Sequence, residues 1–117
     1  MEKRYYEEEP KQFDTISSFG IMTTVVRFNI AECEDEEHLG QWECDEVEVS
    51  HKEPLTAADY GFIVSHLVRA KYSEDSVEAI TLNYVASKTT EHKREWQELQ
   101  EWRSEVKEVA KALLGLL

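Results

Sequence analysis

The chain has 117 residues, 41% of them hydrophobic and 10% aromatic, with 25 acids against 13 bases and a net charge of −12. That length fits one domain with a real core, and the aromatic content argues against a disordered acidic tail. The negative excess repels phosphate backbones, so direct nucleic-acid binding through basic contacts is not expected; a basic protein partner, or plain solubility, is the reading that such a charge favours.

No apolar run approaches the ~18 residues that a membrane span needs, and Met1-Glu2-Lys3-Arg4-Tyr5-Tyr6 lacks the apolar core of a signal peptide. The expectation is a soluble, cytoplasmic protein without membrane association. Cys33 and Cys44 are the only thiols. Two are too few for a disulfide framework, and without an export signal reduced thiols are expected, although a bridge across a hairpin forms if their Cβ atoms face each other.

Residues 1–53 read as extended structure. Gly20 opens the run Ile21-Met22-Thr23-Thr24-Val25-Val26-Arg27-Phe28-Asn29-Ile30, dense in β-branched and aromatic residues. Met22, Thr24, Val26, Phe28 and Ile30 share one face, and the other face becomes more polar toward its end, as in a sheet covered on one side. A second strand is predicted over residues 41–50. Its apolar positions slip in phase, from Trp42 and Cys44 to Val47 and Val49. A β-bulge at Asp45-Glu46 would put all four inward and align Glu43, Asp45, Glu46 and Glu48 as one exposed acidic ridge. Residues 33–40 form the charged connection. Earlier, Tyr5-Tyr6 and residues 12–16 flank Glu7-Glu8-Glu9-Pro10, and either adds an edge strand.

From Pro54 onward the grammar is helical. Thr56 and Asp59 have the spacing of a capping box ahead of a stripe of Tyr60, Ile63, Val64, Leu67 and Val68. A second start at Ser73, with Glu74 and Asp75 suited to the helix dipole, leads to Val77, Ile80 and Tyr84 and an end near Ala86. The third helix is predicted over 91–114, with Trp96, Leu99, Trp102, Val106, Val109 and Leu113 recurring at three- and four-residue steps. The expected fold is α+β: an N-terminal antiparallel β-hairpin or three-stranded sheet followed by three helices, the last one long. A single domain over 1–117 is expected, mainly β to residue 53 and mainly α from 54.

Charge is local. Between Phe28 and His51 there is no Lys or Arg, while Glu32, Glu34, Asp35, Glu36, Glu37, Glu43, Asp45, Glu46 and Glu48 supply −9 of the −12. Around it, chemistry-bearing patterns are scarce. Cys33, His38, Cys44 and His51 are the one cluster with soft metal ligands, but their spacing, C-x4-H-x5-C-x6-H, follows no familiar zinc pattern. The acidic run 34–37 lacks the alternating ligands and central Gly of a Ca²⁺ loop. Ser65 and His66 are neighbours on a helix and diverge by about 100°, which disqualifies them as a nucleophile and base. No nucleotide-binding or hydrolase signature is present. Neither a catalytic residue nor a cofactor or metal ligand is assigned.

The segment Tyr72-Ser73-Glu74-Asp75-Ser76-Val77-Glu78-Ala79-Ile80 with Asn83-Tyr84, followed by Gln100-Glu101-Trp102-Arg103, Val106-Lys107 and Ala110-Lys111, resembles small prophage-encoded proteins of gut bacteria. The resemblance covers the C-terminal half, and that family has no assigned activity or site. It implies a mobile-element origin and a bacterial cytosol. Together these features make a noncatalytic protein-interaction module the first expectation, an accessory or assembly protein of a prophage that binds a basic protein. Its candidate surfaces are Glu43, Asp45, Glu46 and Glu48 on the acidic strand and Trp96, Trp102 and Leu113 on the last helix, the latter offering a homodimer contact. Two alternatives stand beside it: an acidic DNA mimic that inhibits a nucleic-acid-binding protein, and a metal-binding protein that gathers the Cys and His residues above.

Overall fold

Four strands form before residue 52, one more than the larger sheet predicted, because both early segments join the sheet. In the computed structural model, which describes residues 1–117, these are β1 (Glu2–Tyr6), β2 (Phe13–Ser18), β3 (Ile21–Glu32) and β4 (Trp42–His51). They pair in the order β1-β4-β3-β2, all neighbours antiparallel. The two added strands therefore occupy opposite edges. Residues 7–12 must carry the chain across three strand spacings, roughly 14 Å.

The β2–β3 hairpin closes in two residues, since Ser18 pairs with Ile21. Phe19 (φ 51°) and Gly20 (φ 77°) both lie at positive φ, as a type I′ turn requires. Gly20 accepts that conformation without cost, whereas Phe19 does not.

The expected bulge at Asp45-Glu46 is absent. β4 pairs without a break against β1, from Glu46 opposite Glu2 to Trp42 opposite Tyr6. The irregularity lies on β3 instead, where the register against β4 shifts between Phe28 and Ala31. Asn29 sits there at φ 55°, a left-handed conformation that Asn tolerates better than most residues. The apolar phase slip in β4 has another cause. β4 is a central strand, and it buries Cys44 on one face and Val47 and Val49 on the other. Nor is β3 covered on one side only: Thr24, Val26 and Phe28 are buried on one face and Val25 and Arg27 on the other.

The helical residues make a second compact unit, Thr56–Leu117, following the first, Met1–Leu55. The shift from extended to helical patterning read at Pro54 coincides with this boundary. Thr56 and Asp59 do form the expected capping box, with the Thr56 N–H donating to Asp59 Oδ2 at 2.8 Å. The box closes a 3-10 turn, Ala57–Asp59, which leads directly into α1 (Tyr60–Arg69). Ser73 caps α2 (Glu74–Ala86) by accepting from the Ser76 N–H at 3.1 Å. Thr89 caps α3 (Thr90–Leu113) in the same way from the His92 N–H at 3.2 Å. At ~1.5 Å per residue α3 is about 36 Å long.

α3 ends in a Schellman motif. The Leu116 N–H bonds Lys111 C=O at 2.8 Å, the Gly115 N–H bonds Ala112 C=O at 3.3 Å, and Gly115 adopts φ 70°. The buried residues of this unit are Ile63 and Leu67 of α1 and Leu99, Trp102, Val106, Val109 and Ala110 of α3. α2 contributes no fully buried residue; its predicted stripe, Val77, Ile80 and Tyr84, is half-buried.

Candidate interaction surface

Because β4 alternates regularly, its four acids do not share a face. Glu46 and Glu48 emerge on the side of Cys44, and Glu43 and Asp45 on the side of Val47. The single acidic ridge drawn from the sequence is thus replaced by two separate pairs.

Glu46 is also taken out of solvent. It lies opposite Arg27 in the β3–β4 ladder, and both side chains are nearly buried, at 9% and 8% exposure. Arg27 Nε donates to Glu46 Oε2 at 2.7 Å, and Nη1 donates to Asp14 Oδ2 at 2.5 Å and to the Lys11 carbonyl at 2.8 Å. The Tyr6 hydroxyl donates to the same Glu46 oxygen, and Arg4 lies 3.9 Å from the other. Arg27 thereby joins all four strands and fastens the crossing segment through Lys11. Burial alone would weaken the charge on Arg27, yet the hydrogen bonds to Asp14, Glu46 and Tyr6 outweigh it and its pKa moves up. For Glu46 burial pushes upward, but the bonds from Tyr6 and Arg27 and the nearby guanidinium charges hold the carboxyl below its ordinary value. Sequence periodicity places Arg27 merely on a more polar face. An arginine in the middle of an apolar run is the signal for a buried pair.

The other strand acids are engaged as well. Glu43 accepts from Lys3 Nζ at 3.4 Å, and Asp45 accepts from Asn29 Nδ2 at 2.9 Å. Glu48 is exposed.

What the fold assembles instead is an acidic end of the sheet. Tyr6, Trp42 and Glu32 stand side by side across three strands, so the segments that follow β1 and β3 leave the sheet at the same place. Gln41 Nε2 donates to Glu7 Oε1 at 3.0 Å and ties the two together. The His38 ring stacks on Tyr5 with centroids 3.7 Å apart and bonds Asp35 Oδ2 at 2.7 Å, pinning the second segment to β1. Asp35 is accordingly held below the usual carboxylate range by its bond from His38. Glu7, Glu8, Glu9, Glu32, Glu34, Glu36 and Glu37 are all exposed here. In sequence the Glu7-Glu8-Glu9 run only separates two candidate strands, and nothing in it shows that it folds next to residues 32–37.

The proposed metal ligands are not gathered. Cys44 and His51 project from opposite faces of β4. His51 is occupied by Thr24 Oγ1 and the Glu53 carbonyl, each at 2.7 Å. Cys33 is a buried free thiol whose N–H bonds Gln41, so it stands three residues along β4 from Cys44, about 10 Å, too far to bridge. Asp35, Glu37 and His38 are the one acid and His group whose ligand atoms come within 4.8 Å of one another, and Asp35 and Glu37 are exposed.

On the helical unit, Trp102 is 4% exposed and fills the core, so it is not an exposed anchor. Lys71 Nζ covers its ring at 4.9 Å. Trp96 is half-buried and stacks on Tyr84 with centroids 4.4 Å apart; Leu113 is half-buried, while Leu116 and Leu117 are exposed. No helix is long and apolar enough to cross a membrane. No protein-family model, curated protein or solved structure matches the chain.

Proposed function

We propose that the protein is a noncatalytic interaction module that docks a basic surface of a protein partner through the acidic end of its sheet. The observation that carries this reading is the union of residues 7–9 with residues 32–37 by the Gln41–Glu7 and His38–Tyr5 contacts. Two acidic segments distant in sequence become one surface, and no Lys or Arg lies between Phe28 and His51 to neutralise it. Such a field steers a cationic partner and sets its orientation. The biological setting we propose, an accessory or assembly role in a prophage within the bacterial cytoplasm, rests on the resemblance of the C-terminal half.

An oligolysine peptide titrated into labelled protein tests the docking surface. The expected outcome is saturable shifts concentrated on residues 7–9 and 32–37, weakening as ionic strength rises past about 0.15 M, where the Debye length is ~8 Å. Reversing Glu34, Glu36 and Glu37 to Lys should abolish the shifts. Binding that survives those reversals would overturn the reading.

A second use, homodimerisation through the end of α3, is favoured by the exposed Leu116 and Leu117 beside half-buried Leu113. Sedimentation should then show a concentration-dependent mass that salt leaves unchanged and that Leu116→Lys removes. A mass that stays monomeric at high concentration would eliminate it.

A further inference from the structure

Between α1 and α2 the helical unit holds a cleft of about 500 Å³, within the size range of small-molecule sites. Its apolar walls come from Tyr60, Val64 and Val68 of α1 and Val77 of α2, all half-buried. The apolar stripe predicted for α1 is therefore split: Ile63 and Leu67 go to the core, while Tyr60, Val64 and Val68 face the cleft.

Two guanidinium groups line this space and differ in state. Arg69 is committed, with Nη1 3.2 Å from Glu74 Oε1 and Nη2 donating to Ser65 Oγ at 2.5 Å. Arg103 reaches the cleft from α3 and is half-buried, and the ion pairs that occupy Arg4, Arg27 and Arg69 leave it out. A cation beside apolar walls that makes no ion pair of its own, although Glu78 stands at the same rim, is an incomplete pair. We infer that the cleft binds a small amphipathic carboxylate, its hydrocarbon body against Val64, Val68 and Val77 and its carboxylate on Arg103. Glu78, exposed at the rim, is the acid not offset by an ion pair, and it works against such a ligand.

Gly61 supplies a means of closing the site without disturbing the fold. It lies on α1 at the cleft, and a Cβ built there meets nothing within 4 Å. Gly61→Leu therefore projects a side chain into open space and also suits a helix better than glycine.

Decanoate, titrated into the full chain and followed by calorimetry and amide shifts, is the test, with decanol as the uncharged control. Saturable binding is expected, with shifts centred on residues 60–69 and 74–78. Arg103→Gln should weaken decanoate by about tenfold or more, the loss of one charge-assisted hydrogen bond, while changing decanol little. Gly61→Leu should abolish both ligands in a protein that unfolds at an equal or higher temperature, and Glu78→Gln should tighten decanoate by a few-fold. Decanoate binding unchanged by Arg103→Gln, shifts that map elsewhere, or no binding at all would each overturn the inference. So would a cleft that takes up only an amphipathic peptide or a second copy of the chain, detected by the same shifts.

Discussion

The sheet unit carries 15 acids against 5 bases and buries an arginine; the helical unit carries 10 acids against 8 bases, and its buried residues are all apolar. The contrast follows from how each element distributes its side chains. A helix returns to the same face every 3.6 residues, so α3 can turn Glu98, Glu101 and Glu105 to solvent while Leu99, Trp102 and Val106 remain inside. In the middle of a central strand that outlet is missing where both faces are covered, as around Arg27 and Glu46, and only toward its end does β4 turn Glu48 to solvent. A charge placed there, such as Arg27 or Glu46, must find its partner within the sheet. Stability in the one unit thus depends on completing a polar network, and in the other on filling an apolar volume.

Removing one member of the network should have the largest effect on the sheet unit. Arg27→Met leaves Glu46 nearly buried without its closest cation, with only the Tyr6 hydroxyl and the more distant Arg4 beside it, and should cost about 3 kcal/mol, read as a fall in the denaturation midpoint of the sheet unit. Arg27→Met combined with Glu46→Leu should recover most of that loss, since two apolar side chains need no partner. A single substitution that costs less than about 1 kcal/mol would mean the cluster behaves as a solvated surface pair. The network also predicts a pH dependence with a definite sign. The Glu46 carboxyl is held below its ordinary value in the folded state, so its contribution is complete above the unfolded value of about 4.3 and disappears as pH falls through the lowered one. The double substitution should lack this acid-labile component.

The matching substitution in the helical unit is Leu99→Ala, which removes a fully buried side chain and should cost about 2–5 kcal/mol depending on how far the cavity collapses. No titratable partner is lost, so the loss should be the same at pH 7 and at pH 5. Ser73→Ala, which removes the α2 cap, should cost about 1 kcal/mol, and because α2 has no fully buried residue its amides should lose the most exchange protection.

The helical half was the more legible in sequence for the same reason. The cap at Ser73 and the three- and four-residue recurrence from Trp96 to Leu113 are local signals, and they locate α2 and α3 to within a residue or so of where they lie, while the Thr56 box marks the 3-10 turn that leads into α1. The strands were visible as β-branched runs, but their partners were not. That β1 and β2 occupy opposite edges depends on pairings up to 44 residues apart in the chain, such as Glu2 with Glu46. The phase slip at residues 44–47 reads equally as a bulge or as a strand buried on both faces, and only the position of β4 between two neighbours decides it. The acidic end was half legible: residues 32–37 stand out by charge, while the contribution of Glu7, Glu8 and Glu9 comes from a crossing that leaves no pattern in the sequence.

The smallest effect is expected at the β2–β3 turn, where the sheet departs from local preference. Phe19 sits at φ 51° with its side chain fully exposed, so its substitution removes no packing. Asparagine accepts that backbone region more readily, and asparagine followed by glycine is a favoured pair for a type I′ hairpin. Phe19→Asn should therefore stabilise the protein by about 0.5–1 kcal/mol, seen as a rise of a few degrees in Tm. A gain would show that the β2–β3 register is set by the pairing of Thr15 with Thr24 and Phe13 with Val26, with the turn following under strain. A loss would mean that Phe19 is held by a contact, and the hairpin would then share the reliance on packing that distinguishes the helical unit.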